Sequence, residues 1–237
     1  MDVYFYRRIP ERKLRIQLKT TKLVAEFLGT ALIVVAVLGT GFMTRDLGAD
    51  SALQLTMIAT AAAATLFVTI SLLGPVSGAH FNPAVSLALL VRKAIGASEF
   101  VGYVLAQLAG AFAGAVVANL MFSAPVVSMN ETVRFSAATG VSEIVATFGL
   151  VLSVLLLIHF ERANLIAGAV ALWILAGHLM TSSTSFANPA VSFGRVFSDS
   201  PAGIEIASWG WFTLFQIAGT LLAVVVAATL TKKDANV

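Results

Sequence analysis

Cysteine is absent from the 237 residues, which excludes disulfides, thiolate chemistry and cysteine metal sites. Charge is scarce as well. Only 11% of the residues are Asp, Glu, Lys or Arg, against roughly 25% in ordinary soluble domains. With 58% hydrophobic residues and a mean hydropathy of +0.91, too few charges remain to cover a water-facing surface. The solvent for most of this chain is lipid. No ATP-binding loop, metal-ligand cluster or nucleophile with a base at suitable spacing is present, so the sequence does not read as an enzyme. It implies no cofactor and no metal.

What is there is apolar and long. Crossing about 30 Å of hydrocarbon takes about 20 residues in a helix. Six runs approach that length: residues 22–43, 52–73, 99–122, 138–159, 164–180 and 208–230. Two further apolar stretches, 76–92 and 183–198, are too short and too interrupted to span. One sits between spans two and three, the other between spans five and six.

The net charge is +3, and its distribution is uneven. Seven of the fifteen Lys and Arg residues precede the first span: Arg7, Arg8, Arg12, Lys13, Arg15, Lys19 and Lys22. The arm abuts an apolar span without a cleavage site, so it reads as a topology determinant rather than a nucleic-acid arm or a signal peptide. Six spans put both ends on one side. Twelve basic residues then fall on that side and three, Arg45, Arg134 and Arg195, on the other, which makes the termini cytoplasmic. The expected organisation is a basic segment over 1–21, one membrane domain over 22–231 and a tail over 232–237.

An internal repeat runs through that domain. Ala25-Glu26-Phe27-Leu28-Gly29-Thr30 corresponds to Ser142-Glu143-Ile144-Val145-Ala146-Thr147. Gln107-Leu108-Ala109-Gly110 corresponds to Gln216-Ile217-Ala218-Gly219. Between each pair lies Asn-Pro-Ala-Val-Ser, at 82–86 and 188–192. The halves, about 22–122 and 138–231, hold three spans each. An odd number makes the repeat inverted, with its functional site near the midplane.

Asn is a preferred helix N-cap and Pro is tolerated in a first turn. Asn82-Pro83-Ala84 and Asn188-Pro189-Ala190 therefore open short helices, about 83–91 and 189–196, after Gly/Ser-rich approaches at 74–79 and 181–185. Non-helical backbone at membrane depth must be buried in protein or line a cavity. The approaches can then present carbonyls of Gly78, Ala79 and His80, and of Thr184, Ser185 and Phe186, in single file. Two positive helix ends and the amides of Asn82 and Asn188 oppose cations and protons but not neutral molecules.

Ser77-Gly78-Ala79-His80-Phe81-Asn82-Pro83-Ala84-Val85 closely resembles the first motif of the aquaporin (major intrinsic protein) family, and the resemblance extends over 22–230. It implies an all-α membrane protein, a right-handed bundle of six transmembrane helices with two re-entrant half-helices. It also implies one pore per protomer, a homotetramer and a bacterial inner-membrane location. The expected partners are small neutral solutes, the bilayer and further copies of the chain, with no nucleic acid. The buried acids Glu26 and Glu143 would be proton-relay candidates by position alone; the resemblance makes them structural acceptors for loop amides. His80 reads as a bonded loop residue or a pH gate.

Most members of the family place an Arg directly after the second Asn-Pro-Ala, where this chain has Val191. Gap-free spacing from each Asn sets the other filter positions at Ala62, Ala176 and Ser185, a small and uncharged quartet with Val191. A slip of two residues in span five would bring in His178 instead of Ala176. Arg195 either pairs with Asp199 or reaches the pore mouth. The stretch from Thr184 to Val191, with Arg195 downstream, resembles a bacterial branch that includes arsenic-resistance aquaglyceroporins. Water, glycerol and arsenous acid are then the expected solutes. The competing readings are a mainly water-selective pore, a coupled transporter and a non-conducting structural tetramer.

Overall fold

The computed structural model describes residues 11–232, with side chains from residue 19 onward. Arg7 and Arg8, the side chains of Arg12, Lys13 and Arg15, and the tail after Lys232 lie outside what is described. Eight helices follow in order: α1 (Glu11–Asp46), α2 (Ser51–Ser77), α3 (Pro83–Val91), α4 (Ala97–Met121), α5 (Ala137–His159), α6 (Ile166–Met180), α7 (Pro189–Gly194) and α8 (Ile206–Leu230). No strand occurs among the described residues. Six of the helices are long and apolar enough to cross a membrane. The short ones are α3 and α7.

Local chemistry sets the helix ends. Asp50 caps α2 by accepting the Leu53 N–H at 2.8 Å. Ser136 and Thr139 form a reciprocal capping box at the start of α5. Asn82 and Asn188 cap α3 and α7, each accepting the N–H two residues on, with Pro at the first helical position.

Three boundaries depart from the sequence expectation. Helix α1 starts eleven residues before the first apolar span, at Glu11, because charged residues interrupt an apolar run without interrupting a helix. Helix α2 runs through Gly74 and Pro75 to Ser77, although residues 74–79 read as an irregular approach. A proline removes a single backbone bond, and in lipid the other backbone groups have no partners but each other. The turn stays closed until Gly78, at φ 88°, ends it with its N–H on the Gly74 carbonyl. Helix α7 stops at Gly194 and is completed by a 3₁₀ turn over Arg195–Phe197. Six residues and then three give it the nine-residue reach of α3.

The two halves pack alike. Helix α1 lies against α4, and α5 against α8. In each pair the backbones nearly touch. A Cβ at Gly110 would collide with the Phe27 carbonyl, and one at its counterpart Gly219 with the Ile144 carbonyl. Close approach at small residues is how helices gain dispersion contact where lipid is as apolar as leucine. Each half-helix packs on the third span of both halves, since α3 and α7 both contact α4 and α8. Large apolar side chains such as Leu72, Leu105 and Val225 point outward and stay exposed, as a lipid-facing surface requires.

Candidate functional site

Before each half-helix the chain adopts a conformation that side chains normally avoid. Ala79 and Phe81 have φ of 49° and 47°, and Ser185 and Ala187 have 49° and 46°. A left-handed non-Gly residue costs roughly 1–2 kcal/mol, so such loops persist only where surrounding contacts over-determine them. Here a buried carboxylate does so in each half. Glu26 accepts the N–H groups of His80 (3.0 Å) and Phe81 (2.7 Å), the Ser77 hydroxyl (2.6 Å) and the Gln107 amide (2.8 Å). Glu143 accepts those of Phe186 (3.0 Å) and Ala187 (2.9 Å), Ser183 (2.6 Å) and Gln216 (2.6 Å). Both acids are wholly buried. Four donors on two oxygens anchor each loop and leave no acid oxygen for a proton relay.

Two pairs of donors in this arrangement had no role in the sequence reading. Ser77 and Ser183 each stand five residues before their Asn, and Gln107 and Gln216 are repeat mates. Matching polar residues at matching offsets was the available signal.

The loops lock onto each other through the motif asparagines. Asn82 donates its side-chain N–H to the Ala187 carbonyl at 2.8 Å, and Asn188 donates to the Phe81 carbonyl at 2.8 Å. An amide carries two such donors, so one on each Asn remains. Both residues line a narrow cavity that runs between the halves. From Asn82 and Asn188 it passes Val85, Leu89 and Ile158 toward one end, and Val191, Ser185 and Arg195 toward the other.

Gly78, Ala79, His80, Phe186, Ala62 and His178 also line the cavity. Pro83, Ala84, Pro189 and Ala190 are not in its wall and build the half-helix starts. Thr184, left-handed at φ 60°, is not in the wall either. Ala176 is misplaced by the gap-free count. It is exposed on the outer face of α6, while His178 is 5% exposed and faces the cavity. A shift of two residues turns a helix by more than half a revolution.

The constriction chemistry is specific. His178 Nδ1 lies 2.8 Å from the Ile174 carbonyl. A carbonyl only accepts, so Nδ1 carries a proton, which in a neutral ring leaves Nε2 as an acceptor. Ser185 is 2% exposed and its hydroxyl has no protein partner. Gly177 makes room for it, since a Cβ there would press on the Ser185 oxygen. Arg195 does not pair with Asp199, which instead faces Arg45 at 3.6 Å. Its side chain is buried, its Nε donates to the Ala202 carbonyl, and its guanidinium carbon sits 3.4 Å from the Phe186 ring centroid.

The halves differ where His80 and Phe186 correspond. His80 Nδ1 lies 3.0 Å from the Ser86 hydroxyl, and its ring meets Tyr103 edge-on. Ser86 in turn accepts from Gln107. In the second half the same place holds Phe186 under Arg195, and Ser192 donates to the Asn188 carbonyl instead.

A paired-asparagine cavity inside an inverted repeat is the geometry the first motif implied, and comparison with known proteins agrees. Residues 13–200 match the model of the family described as major intrinsic protein. The chain belongs to the major intrinsic protein family. The aquaglyceroporin AqpS of Rhizobium meliloti is 44% identical over 204 residues, which cover 86% of this chain and 87% of that protein. A probable TIP-type aquaporin of Medicago truncatula is 34% identical, covering 79% and 76%. The fold matches the aquaglyceroporin structure from Plasmodium falciparum with a TM-score of 0.71 at 21% identity, over 90% of this chain and 96% of that one. The major intrinsic proteins are multi-pass membrane channels and not enzymes, and the all-helical bundle of six spans described above is theirs.

Proposed function

We propose that this chain is a passive channel for water, glycerol and small neutral oxyacids such as arsenous acid. The observation that carries the solute range is Val191. A neutral side chain stands where most aquaporins resemble one another in having Arg, and Ala62 across the cavity is equally small. The filter on this reading is Ala62, His178, Ser185 and Val191, with His178 in the place counted to Ala176. A ring, a hydroxyl and two apolar side chains, with Arg195 lining the same cavity, suit a polyol, whose hydroxyls and carbon backbone lie on opposite sides. The kinship with AqpS, an aquaglyceroporin, supports the water and glycerol part of that range.

Between the mouths, the remaining amide hydrogens of Asn82 and Asn188 act as the midplane donors. The carbonyls of Gly78, Ala79 and His80, and of Ser185 and Phe186, form the acceptor rail, without Thr184. What supports the rail is that the N–H groups of these loops are turned toward Glu26 and Glu143. His80 serves as a bonded member of the loop. The basic bias places both termini in the cytoplasm and the Arg195 end of the pore outside. The protein acts as a homotetramer in a bacterial cell membrane.

Reconstituted vesicles test the reading. Glycerol and arsenous acid should enter well above the rate of empty vesicles, with little proton current. Background rates for every neutral solute would end it. Val191→Arg should raise the ratio of water to glycerol permeability, and an unchanged ratio would remove Val191 from the filter.

A further inference from the structure

Phe186 meets two guanidinium groups. Arg195 stacks on its ring at 3.4 Å, and Arg134 stands 5.6 Å from the same centroid. Both cations spend hydrogen bonds on one short segment: Arg195 on Ala202 O, and Arg134 on Gly203 O (2.5 Å) and Pro201 O (2.8 Å). Neither forms an ion pair among the described residues. Glu143, the acid of this half, has both oxygens occupied by four donors, and no Asp or Glu lines the cavity. Carbonyls and a ring face offset part of the desolvation, but they carry no formal charge. A buried charge without a counter-charge is among the most costly arrangements in a protein, and Arg195 is 4% exposed.

The same end of the cavity offers the Ser185 hydroxyl, 2% exposed and without a protein partner. A guanidinium fork and a free hydroxyl on one cavity wall match the lone pairs of a planar oxyanion. We infer that the outer mouth holds a binding site for a small oxyanion, a carboxylate or the conjugate base of an oxyacid. Arg195 is its charged ligand, Ser185 its hydrogen-bond donor, and Arg134 near the same Phe186 ring adds to the field. An anion seated there stands in the path of a neutral solute and occludes it. The assignment of this end as the outer one rests on the topology proposed above.

The test is glycerol influx into proteoliposomes with sodium formate outside, against sodium chloride at equal ionic strength. Formate should slow influx more than chloride, because a spherical ion has no second acceptor atom with which to meet the guanidinium and the Ser185 hydroxyl together. Arg195→Gln should weaken the inhibition by formate about tenfold or more, the scale of one charge-assisted hydrogen bond. Ser185→Ala should weaken it by a smaller factor. Equal inhibition by the two salts, or an Arg195→Gln protein as sensitive as the parent, would overturn the site. Arg195→Lys, which keeps the charge and loses the planar fork, serves if the Gln variant does not fold; it too should lose most of the sensitivity. Calorimetric titration of formate into the detergent-solubilised protein reads the site without flux. Absent glycerol flux with intact formate binding would sink the channel reading and leave the site standing. Normal flux without binding would do the reverse.

Discussion

Asn82 and Asn188 each donate one amide hydrogen to the carbonyl that precedes the other's motif, both at 2.8 Å. The pair therefore joins the two halves of the repeat at the same point where it lines the cavity. Each also caps its half-helix through Oδ1, which accepts the N–H of Ala84 or Ala190 at 2.8 and 3.0 Å. Three tasks thus fall on one side chain.

The tasks can be separated. Asp is as good an N-cap as Asn but carries no donor, so Asn82→Asp should keep α3 and lose the bond to Ala187, setting a carboxylate against a carbonyl. A loss of about 1–3 kcal/mol is expected for the broken buried bond, and Asn82→Ala should lose about 1 kcal/mol more with the cap. Thermal unfolding in detergent ranks the variants. Glycerol flux should fall in both, and if the Asp variant unfolds no earlier than the parent, the crossed bond does not hold the halves.

Glu26 and Glu143 should behave as a matched pair. Gln at either position keeps the shape but turns an NH₂ group toward donors that now have only one acceptor oxygen. At least one loop N–H or partner side chain is then left unsatisfied, at about 3 kcal/mol for a buried site of this kind. Glu26→Gln and Glu143→Gln should each lower the unfolding temperature and each reduce solute flux, because the left-handed residues of the loop lose their restraint. A variant with full stability and abolished proton conductance would instead point to a relay.

Much of this was legible in the sequence, and the rest failed for identifiable reasons. The repeat, the six spans and the paired asparagines follow from hydropathy and from identical pentapeptides. Position along a helix did not follow. Ala176 and His178 differ by two residues, yet one is exposed on the outer face of α6 and the other lines the cavity, because two residues turn a helix by more than half a revolution. Arg195 had two readings, a pair with Asp199 four residues on, as a regular helix would have it, or a reach to the pore mouth. The α-helix ends at Gly194, so that spacing does not apply and Arg195 turns onto Phe186. Pro75 read as a break because a proline in water usually is one; in lipid the helix has no cheaper alternative.

Helix packing gives a prediction with a built-in control. Gly110→Ala and Gly219→Ala each place a methyl against a backbone carbonyl of the facing helix, which cannot swing aside. Overpacking of this sort costs about 1–3 kcal/mol, and both variants should melt early. Gly210→Ala, in the same helix as Gly219, meets nothing within 4 Å and should be neutral or slightly stabilising through helix propensity. Equal melting temperatures for all three would mean that α1–α4 and α5–α8 are farther apart than described.

The constriction is best probed where the register of α6 decides the answer. His178 and Ser185 both line the cavity, whereas Ala176 is exposed on the opposite side of the helix. His178→Ala removes a ring from the cavity wall and widens the opening, so glycerol permeability should rise relative to water. Ala176→Leu adds bulk on the lipid side, where an apolar side chain is at home, and both permeabilities should stay as they were. Stopped-flow light scattering on matched vesicles measures the two in one preparation. A ratio that responds to residue 176 and ignores residue 178 would restore the gap-free register and move the filter two residues toward the start of α6.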